Sequence, residues 1–146
     1  MTKSELAEQY FRSGYNCAQA VIAAFSEDFG VDVKAALKIS EGFGGGIGRM
    51  RSVCGAASGM FMAIGLAKSN AEPKDTETRA DIYAAVQKAA AEFERRMGSY
   101  ICADLLGGVR PAGSVPTERD AQFYKKRPCV ECVRVAAEIA EELLQL

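Results

Sequence analysis

The sequence predicts a single all-α helical bundle. Three observations carry this reading. Apolar residues recur at helical spacing in nearly every segment, cap residues and glycines punctuate those segments, and no run alternates with the period of two that marks a half-buried strand. The 146 residues suit one domain, spanning 1–146. A chain of that length buries roughly two thirds of the surface its unfolded form exposes, so a core needs no disulfide staple. Neither a repeat with a period of roughly 20 to 50 residues nor a low-complexity tract is present.

The opening MTKSELAEQY lacks the apolar stretch of a secretory signal. From Asn16, a good cap, the set Cys17, Ala20, Val21, Ala24 and Phe25 follows the i, i+3, i+4, i+7, i+8 pattern between Gly14 and Gly30. That predicts a helix of about 13 residues with Cys17 on its inner face. A short amphipathic piece, Asp32 to Ile39, leads into GFGGGIGRMRSVCGAASG. There Ser52 is the expected cap of a helix from Val53 to Lys68, in which Gly55 and Gly59 leave a groove for a close neighbour. Its residues are apolar nearly all round, which places it at the centre of the bundle. Glu72-Pro73 marks the next boundary, and Ile82, Val86, Ala89 or Ala90, Phe93 and Met97 form the inward stripe of a long helix that Gly98 breaks. A shorter helix around Tyr100 to Leu106 carries Cys102 and ends at Gly107-Gly108. RPAGSVPTERD is a loop by composition, and Lys125-Lys126-Arg127-Pro128 reads as a loop too. The last helix, Pro128 to Leu146, has proline in its first turn and buries Cys129, Cys132, Ala136, Ile139, Leu143 and Leu146.

Composition removes several function classes. Eighteen basic and nineteen acidic residues give a net charge of -1 with no obviously basic face, so nucleic acid is not an expected partner. The longest uncharged run, Val53 to Ala67, falls short of the ~20 residues that span a bilayer, and the expectation is a soluble, cytoplasmic protein without membrane insertion. In a reducing compartment five cysteines, an odd number, point to metal, cluster or redox work rather than structural disulfides. Without histidine there is no Cys-His or Ser-His-Asp arrangement, and Glu41, Glu77 and Glu94 read as solvated faces, so ordinary hydrolase chemistry is not expected.

The candidate catalytic residues are the five thiols, Cys17, Cys54, Cys102, Cys129 and Cys132. Cysteine is among the most buried residue types, so each is also accounted for as a core residue. Cys54 stands apart. It lies at the mouth of a helix whose dipole favours a thiolate, with Arg49 and Arg51 just upstream. The loop before it, with Gly44, Gly45, Gly46 and Gly48, together with Arg49, Arg51 and Gly55, is the candidate cofactor-binding segment, its backbone N–H groups expected to turn toward negative charge. The same glycines are also explained by close backbone approach or positive φ. Neither GxGxxG nor GxxxxGK[ST] fits residues 42 to 51, which argues against a nucleotide site. Cys129-Val130-Glu131-Cys132 is a lone CxxC that follows a loop rather than a strand, so a thioredoxin fold is not supported. Structural zinc remains an alternative, although one close pair and three dispersed thiols are not its usual signature.

Taken in order, Gly14-Tyr15-Asn16-Cys17-Ala18-Gln19-Ala20-Val21, then GFGGGIGRMRSVCGAASG with Cys54-Gly55-Ala56 and Gly59, then Cys102 before Leu105-Leu106-Gly107, then Cys129 opening the final helix, resemble the C_GCAxxG_C_C family of putative redox-active proteins. The resemblance spans nearly the whole chain. It implies that the four defining cysteines are Cys17, Cys54, Cys102 and Cys129. The family is also similar to the non-haem part of split-Soret cytochromes, which hold an iron-sulfur cluster. These four are therefore the candidate metal ligands, with an iron-sulfur cluster the implied cofactor. No CxxCH exists here for haem. Cys132 stands where the family pattern leads us to expect an apolar residue, as a fifth thiol that exchanges with Cys129 or replaces it as ligand.

The expectation is that these four cysteines converge at one end of the bundle and either ligate an iron-sulfur cluster for electron transfer or form a thiol/disulfide relay. Either version needs a redox partner protein or a small-molecule electron donor or acceptor. The alternative is a non-catalytic module that binds an anion or a protein partner, with buried structural cysteines. A glycine-lined groove is compatible with a homodimer.

Overall fold

The computed structural model describes residues 1–108 and 113–146. Its helices are α1 (Lys3–Arg12), α2 (Cys17–Ser26), α3 (Val33–Ser40), α4 (Gly55–Lys68), α5 (Thr76–Met97), α6 (Cys102–Leu105), α7 (Ala121–Lys126) and α8 (Cys129–Leu144). The predicted all-α bundle is what forms. Among the described residues there is no strand, only an isolated antiparallel bridge between Val53 and Ile101, and no helix is long and apolar enough to cross a membrane.

The central position of α4 follows from its composition. Ala56, Ala57, Met60, Ala63 and Ile64 are all buried, and the helix packs against α2, α8 and α5. Small residues set the closeness of the α2 crossing. A Cβ on Gly59 would lie 2.8 Å from the Ala18 carbonyl oxygen and 2.9 Å from Val21 Cβ. Gly65, in the same helix, meets nothing within 4 Å. Glycine in a helix interior ordinarily costs about 0.5–1 kcal/mol relative to alanine, whereas overfilling a packed contact costs about 1–3 kcal/mol. Gly65→Ala is therefore expected to stabilise the protein by about 0.5–1 kcal/mol, and Gly59→Ala to destabilise it despite the same propensity gain. Urea denaturation of the two variants checks the opposite signs.

Several boundaries differ from the sequence expectation, each for a local reason. The Asn16 cap of α2 is as expected, with its side chain accepting from the Gln19 N–H and Gln19 reaching back to the Asn16 N–H. The helix proper stops at Ser26 and continues as a 3-10 turn, Glu27–Phe29, that closes on Gly30 at φ 66°. Ser52 is not the cap of α4, and Val53 is not helical. Residues 51–54 instead run antiparallel beside 100–103, with the Cys54 N–H donating to the Tyr100 carbonyl (2.8 Å), the Cys102 N–H to Ser52 (2.6 Å) and the Ala103 N–H to Arg51 (3.2 Å). This pairing moves the helix start to Gly55, makes Cys54 the N-cap, and confines α6 to Cys102–Leu105. The long helix starts at Thr76, capped by Asp75. Only Ala89 and Phe93 of its expected stripe are buried, Ile82, Val86, Ala90 and Met97 being half-buried. The last helix ends at Leu144, where Gln145 turns left-handed, and leaves Leu146 exposed.

Two helices lie where none was predicted. α1 carries a complete Thr2–Glu5 capping box and buries Ala7 and Phe11, and it packs against α8 and α2. α7 starts at an Asp120 cap, so Lys125 and Lys126 belong to a helix rather than a loop. Residues 110–112 of the expected loop lie outside the described residues. Before α7, Arg119 stacks on the Phe11 ring at 4.3 Å and donates to the carbonyls of Phe11 (2.6 Å) and Tyr15 (2.7 Å). These bonds fasten the segment over the end of α1.

A cysteine-lined cavity

The glycine loop owes its composition to backbone handedness. Gly45, Gly46, Ile47, Gly48 and Arg49 all have φ between 58° and 72°, and Arg51 has φ 60°, so the chain makes a left-handed turn. Glycine adopts that region freely. Each of the three side-chain-bearing residues costs about 1–2 kcal/mol there, strain of the kind concentrated at functional sites. The turn directs its N–H groups inward. Those of Ile47 through Ser52 all bond to carbonyls within the loop. The expectation that this stretch aims its amides at negative charge is thus corrected for Ile47 to Ser52, whose N–H groups are already used. Positive charge comes from the Arg49 and Arg51 guanidiniums instead.

The glycines also permit close approach. A Cβ on Gly46 would fall 2.5 Å from Cys102 Cβ, and one on Gly44 2.5 Å from Asn16 Nδ2. Gly55 brings the start of α4 against the start of α2, since its Cβ would lie 3.0 Å from the Phe43 carbonyl oxygen and 3.3 Å from Cys17 Cβ. These approaches enclose a cavity of about 390 Å³ lined by all five cysteines. Gly44, Gly45, Gly46, Gly48, Arg49, Arg51 and Gly55 line it as well. The four cysteines implied by the resemblance each mark a helix start: Cys17, Cys102 and Cys129 are the first residues of α2, α6 and α8, and Cys54 caps α4.

All five are free thiols, and four form two opposed pairs. Cys17 faces Cys129, and Cys54 faces Cys132. Cys132 sits one helical turn inside α8, beside the Cys54 cap of α4 and within the influence of Cys129. Within each pair one sulfur is favoured as thiolate. Contact with the Cys17 thiol, reinforced by the charges of Arg127, Arg119 and Arg51, outweighs burial and holds Cys129 down at about 7. Contact with Cys132 lowers Cys54 against its own burial, helped by the N–H groups of Ala57 and Ala56. Those amides make no full cap hydrogen bond; they act as the dipole of the helix start. Cys17 and Cys132 are correspondingly raised, first by the partner thiolate and then by burial. Cys102 stands alone, raised by burial and partly offset by Arg51, whose Nη1 lies 3.8 Å from its sulfur.

Alkylation follows from these shifts. A thiol reacts as thiolate, so a pKa held down leaves Cys129 reactive above its midpoint and protects it below. Iodoacetamide labelling of Cys129, read by peptide mass mapping across pH, is expected to rise with a midpoint of about 7, whereas Cys17 and Cys132 stay unlabelled at neutral pH.

Two cavity cations escaped the sequence reading. Arg119 and Arg127 line the site beside Arg49 and Arg51. Arg127 stands two residues before Cys129 and was in principle readable. Arg119 reaches the cavity only because α1 and the segment before α7 meet in space. Glu41, read as a solvated acid, is exposed but also lines the cavity. Among the described residues no three Cys, Asp or Glu side chains are grouped tightly enough to hold a single metal ion.

Fold and site together define an all-α protein whose chemistry-bearing side chains are thiols. The family model of the C_GCAxxG_C_C proteins, described as putative redox-active proteins, matches residues 15–143, and the chain belongs to that family. No curated protein and no solved structure significantly matches the chain.

Proposed function

We propose that this chain is a thiol/disulfide redox protein in which Cys17–Cys129 and Cys54–Cys132 are two dithiol centres. The observation that carries this is a single cavity lined by five free thiols, in which Cys17 neighbours Cys129 and Cys54 neighbours Cys132, one thiol of each pair lowered and the other raised. Closure of either pair forms one S–S bond and releases two electrons and two protons to an acceptor, a small molecule or a partner protein. Cys129, the lowered thiol of its pair and the one on which the Arg127, Arg119 and Arg51 charges act, is the attacking sulfur, and Cys17 the resolving one. The test is mass spectrometry of protein oxidised under native conditions. Loss of two hydrogens for each pair, with cross-linked peptides joining Cys17 to Cys129 and Cys54 to Cys132, supports the assignment, and thiols that stay free sink it.

A second reading rests on a different observation. Four cysteines at helix starts face one cavity, and Arg51, only 5% exposed, has an unpartnered Nε beside them. Soft thiolates with a buried cation suit an anionic iron-sulfur cluster. Cys17, Cys54, Cys102 and Cys129 would hold it, and it would supply one-electron transfer. Iron and acid-labile sulfide in equal amounts, with visible absorption, in protein purified without oxygen would favour this reading over the first.

A further inference from the structure

The cavity gathers cations that form no ion pair with a carboxylate among the described residues. Among the described residues the ion pairs use Lys3, Arg12, Arg95, Arg96 and Arg134, and none involves Arg49, Arg51, Arg119 or Arg127. Arg49 and Arg127 both donate to one neutral oxygen, Thr117 Oγ1, at 3.3 and 3.4 Å. Two guanidiniums on one hydroxyl repel each other, with no carboxylate between them. Arg119 and Arg127 both lie over the Phe123 ring, at 5.4 and 5.0 Å, which brings a third positive charge to the same wall. Arg51 is buried, its hydrogen bond a weak one to the Cys102 sulfur, and its Nε lacks a partner. Among the described residues Glu41 is the one acid lining the cavity. A buried or crowded guanidinium is stable when an oxyanion takes its fork of donors, so the site is built for a ligand that brings negative charge.

We propose, building on the thiol/disulfide reading above, that the cavity binds a small disulfide bearing carboxylates, anchored by Arg49 and Arg127 and reduced by the Cys17–Cys129 pair. The volume suits a compact ligand, and the cations line the same cavity as the sulfurs that react. The Cys129 thiolate attacks one sulfur of the ligand, its S–S bond breaks, and the first half leaves as a carboxylate-bearing thiolate that takes up a proton. Cys17 then attacks the Cys129 sulfur of the mixed disulfide, and its proton passes to the second departing thiolate. Two protein thiols lose two electrons and two protons, and one ligand disulfide becomes two thiols. An external dithiol reductant restores the pair.

The test compares three small disulfides on the fully reduced protein without oxygen: 2,2′-dithiodiacetate (anionic), 2-hydroxyethyl disulfide (neutral) and cystamine (cationic). Closure of Cys17–Cys129 is followed by quenching and mass spectrometry. In free solution a thiolate repels an anionic disulfide and attracts a cationic one, so chemistry alone favours cystamine. The expected result is the reverse, dithiodiacetate faster than cystamine by at least about tenfold, the worth of one charge-assisted contact. The Arg49→Gln/Arg127→Gln double variant should lose this preference. Calorimetry with thiodiacetate, an unreactive thioether, reads anion binding directly. If all three disulfides close the pair but cystamine remains fastest and thiodiacetate does not bind, this inference is overturned while the thiol/disulfide reading stands. If none of them closes the pair, both fall.

Discussion

Cys129→Ser is expected to prevent the Cys17 disulfide while leaving the Cys54–Cys132 pair able to close, so that the oxidised variant loses two hydrogens fewer than the wild type. The expectation rests on pairing across helices. Cys129 and Cys132 share α8 but point to different partners, Cys17 on α2 and Cys54 at the cap of α4. Removing one attacking sulfur abolishes its own bond, since the thiol left behind has lost the sulfur it would bond to. Reduction of a small disulfide through this pair should fall to the background of a buried thiol. The remaining cysteines make the experiment discriminating. Cys132→Ser should cost one disulfide and Cys102→Ser none if the pairs are the redox centres. Under iron-sulfur ligation the order inverts, with Cys102→Ser losing iron and Cys132→Ser retaining it. A variant set read by mass spectrometry and iron content thus separates the two chemistries.

What the sequence made legible here was periodic or local. The Asn16 cap, the central helix rich in small residues, Gly98 as the stop of the long helix and the burial of Cys132 follow from spacing that survives folding. The α1 helix was legible too, through its Thr2–Glu5 capping box and the spacing of Ala7 and Phe11. Other features depended on contacts between distant segments. Pairing of 51–54 with 100–103 overrode the helical pattern at Val53 and set Cys54 beside Cys102. No local pattern announces that pairing. The convergence of Cys17, Cys54, Cys102 and Cys129 was expected, from their places at helix starts, with Cys132 as a fifth thiol beside Cys129. That Cys132 opposes Cys54 depends on the angle at which α8 meets α4, which spacing does not encode. The basic character of the cavity was hidden for a related reason. A net charge of -1 averages over a surface whose other arginines are largely paired, and Arg119 and Arg127 join Arg49 and Arg51 only in three dimensions.

Gly46→Ala is expected to dismantle the site from its loop. Gly46 is buried at φ 72°, where an L side chain costs about 1–2 kcal/mol. Its added Cβ would also meet Cys102 Cβ at 2.5 Å, Arg51 Cα at 2.8 Å and the Ser52 nitrogen at 2.8 Å. Two of those three atoms are backbone, so no rotamer change relieves the clash, and overfilling adds about 1–3 kcal/mol. The sum, about 2–5 kcal/mol, is a large part of the ~5–15 kcal/mol that holds a typical domain folded. The cheaper response is local. The left-handed turn lifts away, and the bonds from the Cys54 N–H to Tyr100 and from the Cys102 N–H to Ser52 are the first to open, separating Arg51 from Cys102. Hydrogen exchange should show these two amides losing protection ahead of the α4 core. Gly48→Ala is the control, because Gly48 shares the left-handed backbone at φ 58° yet meets only the Gly42 oxygen at 3.8 Å, so it should pay the conformational cost alone. Equal destabilisation of the two variants would mean that handedness, not the approach to Cys102, fixes the loop. A much larger loss for Gly46→Ala means that the glycine is there to let the thiol and the arginine meet.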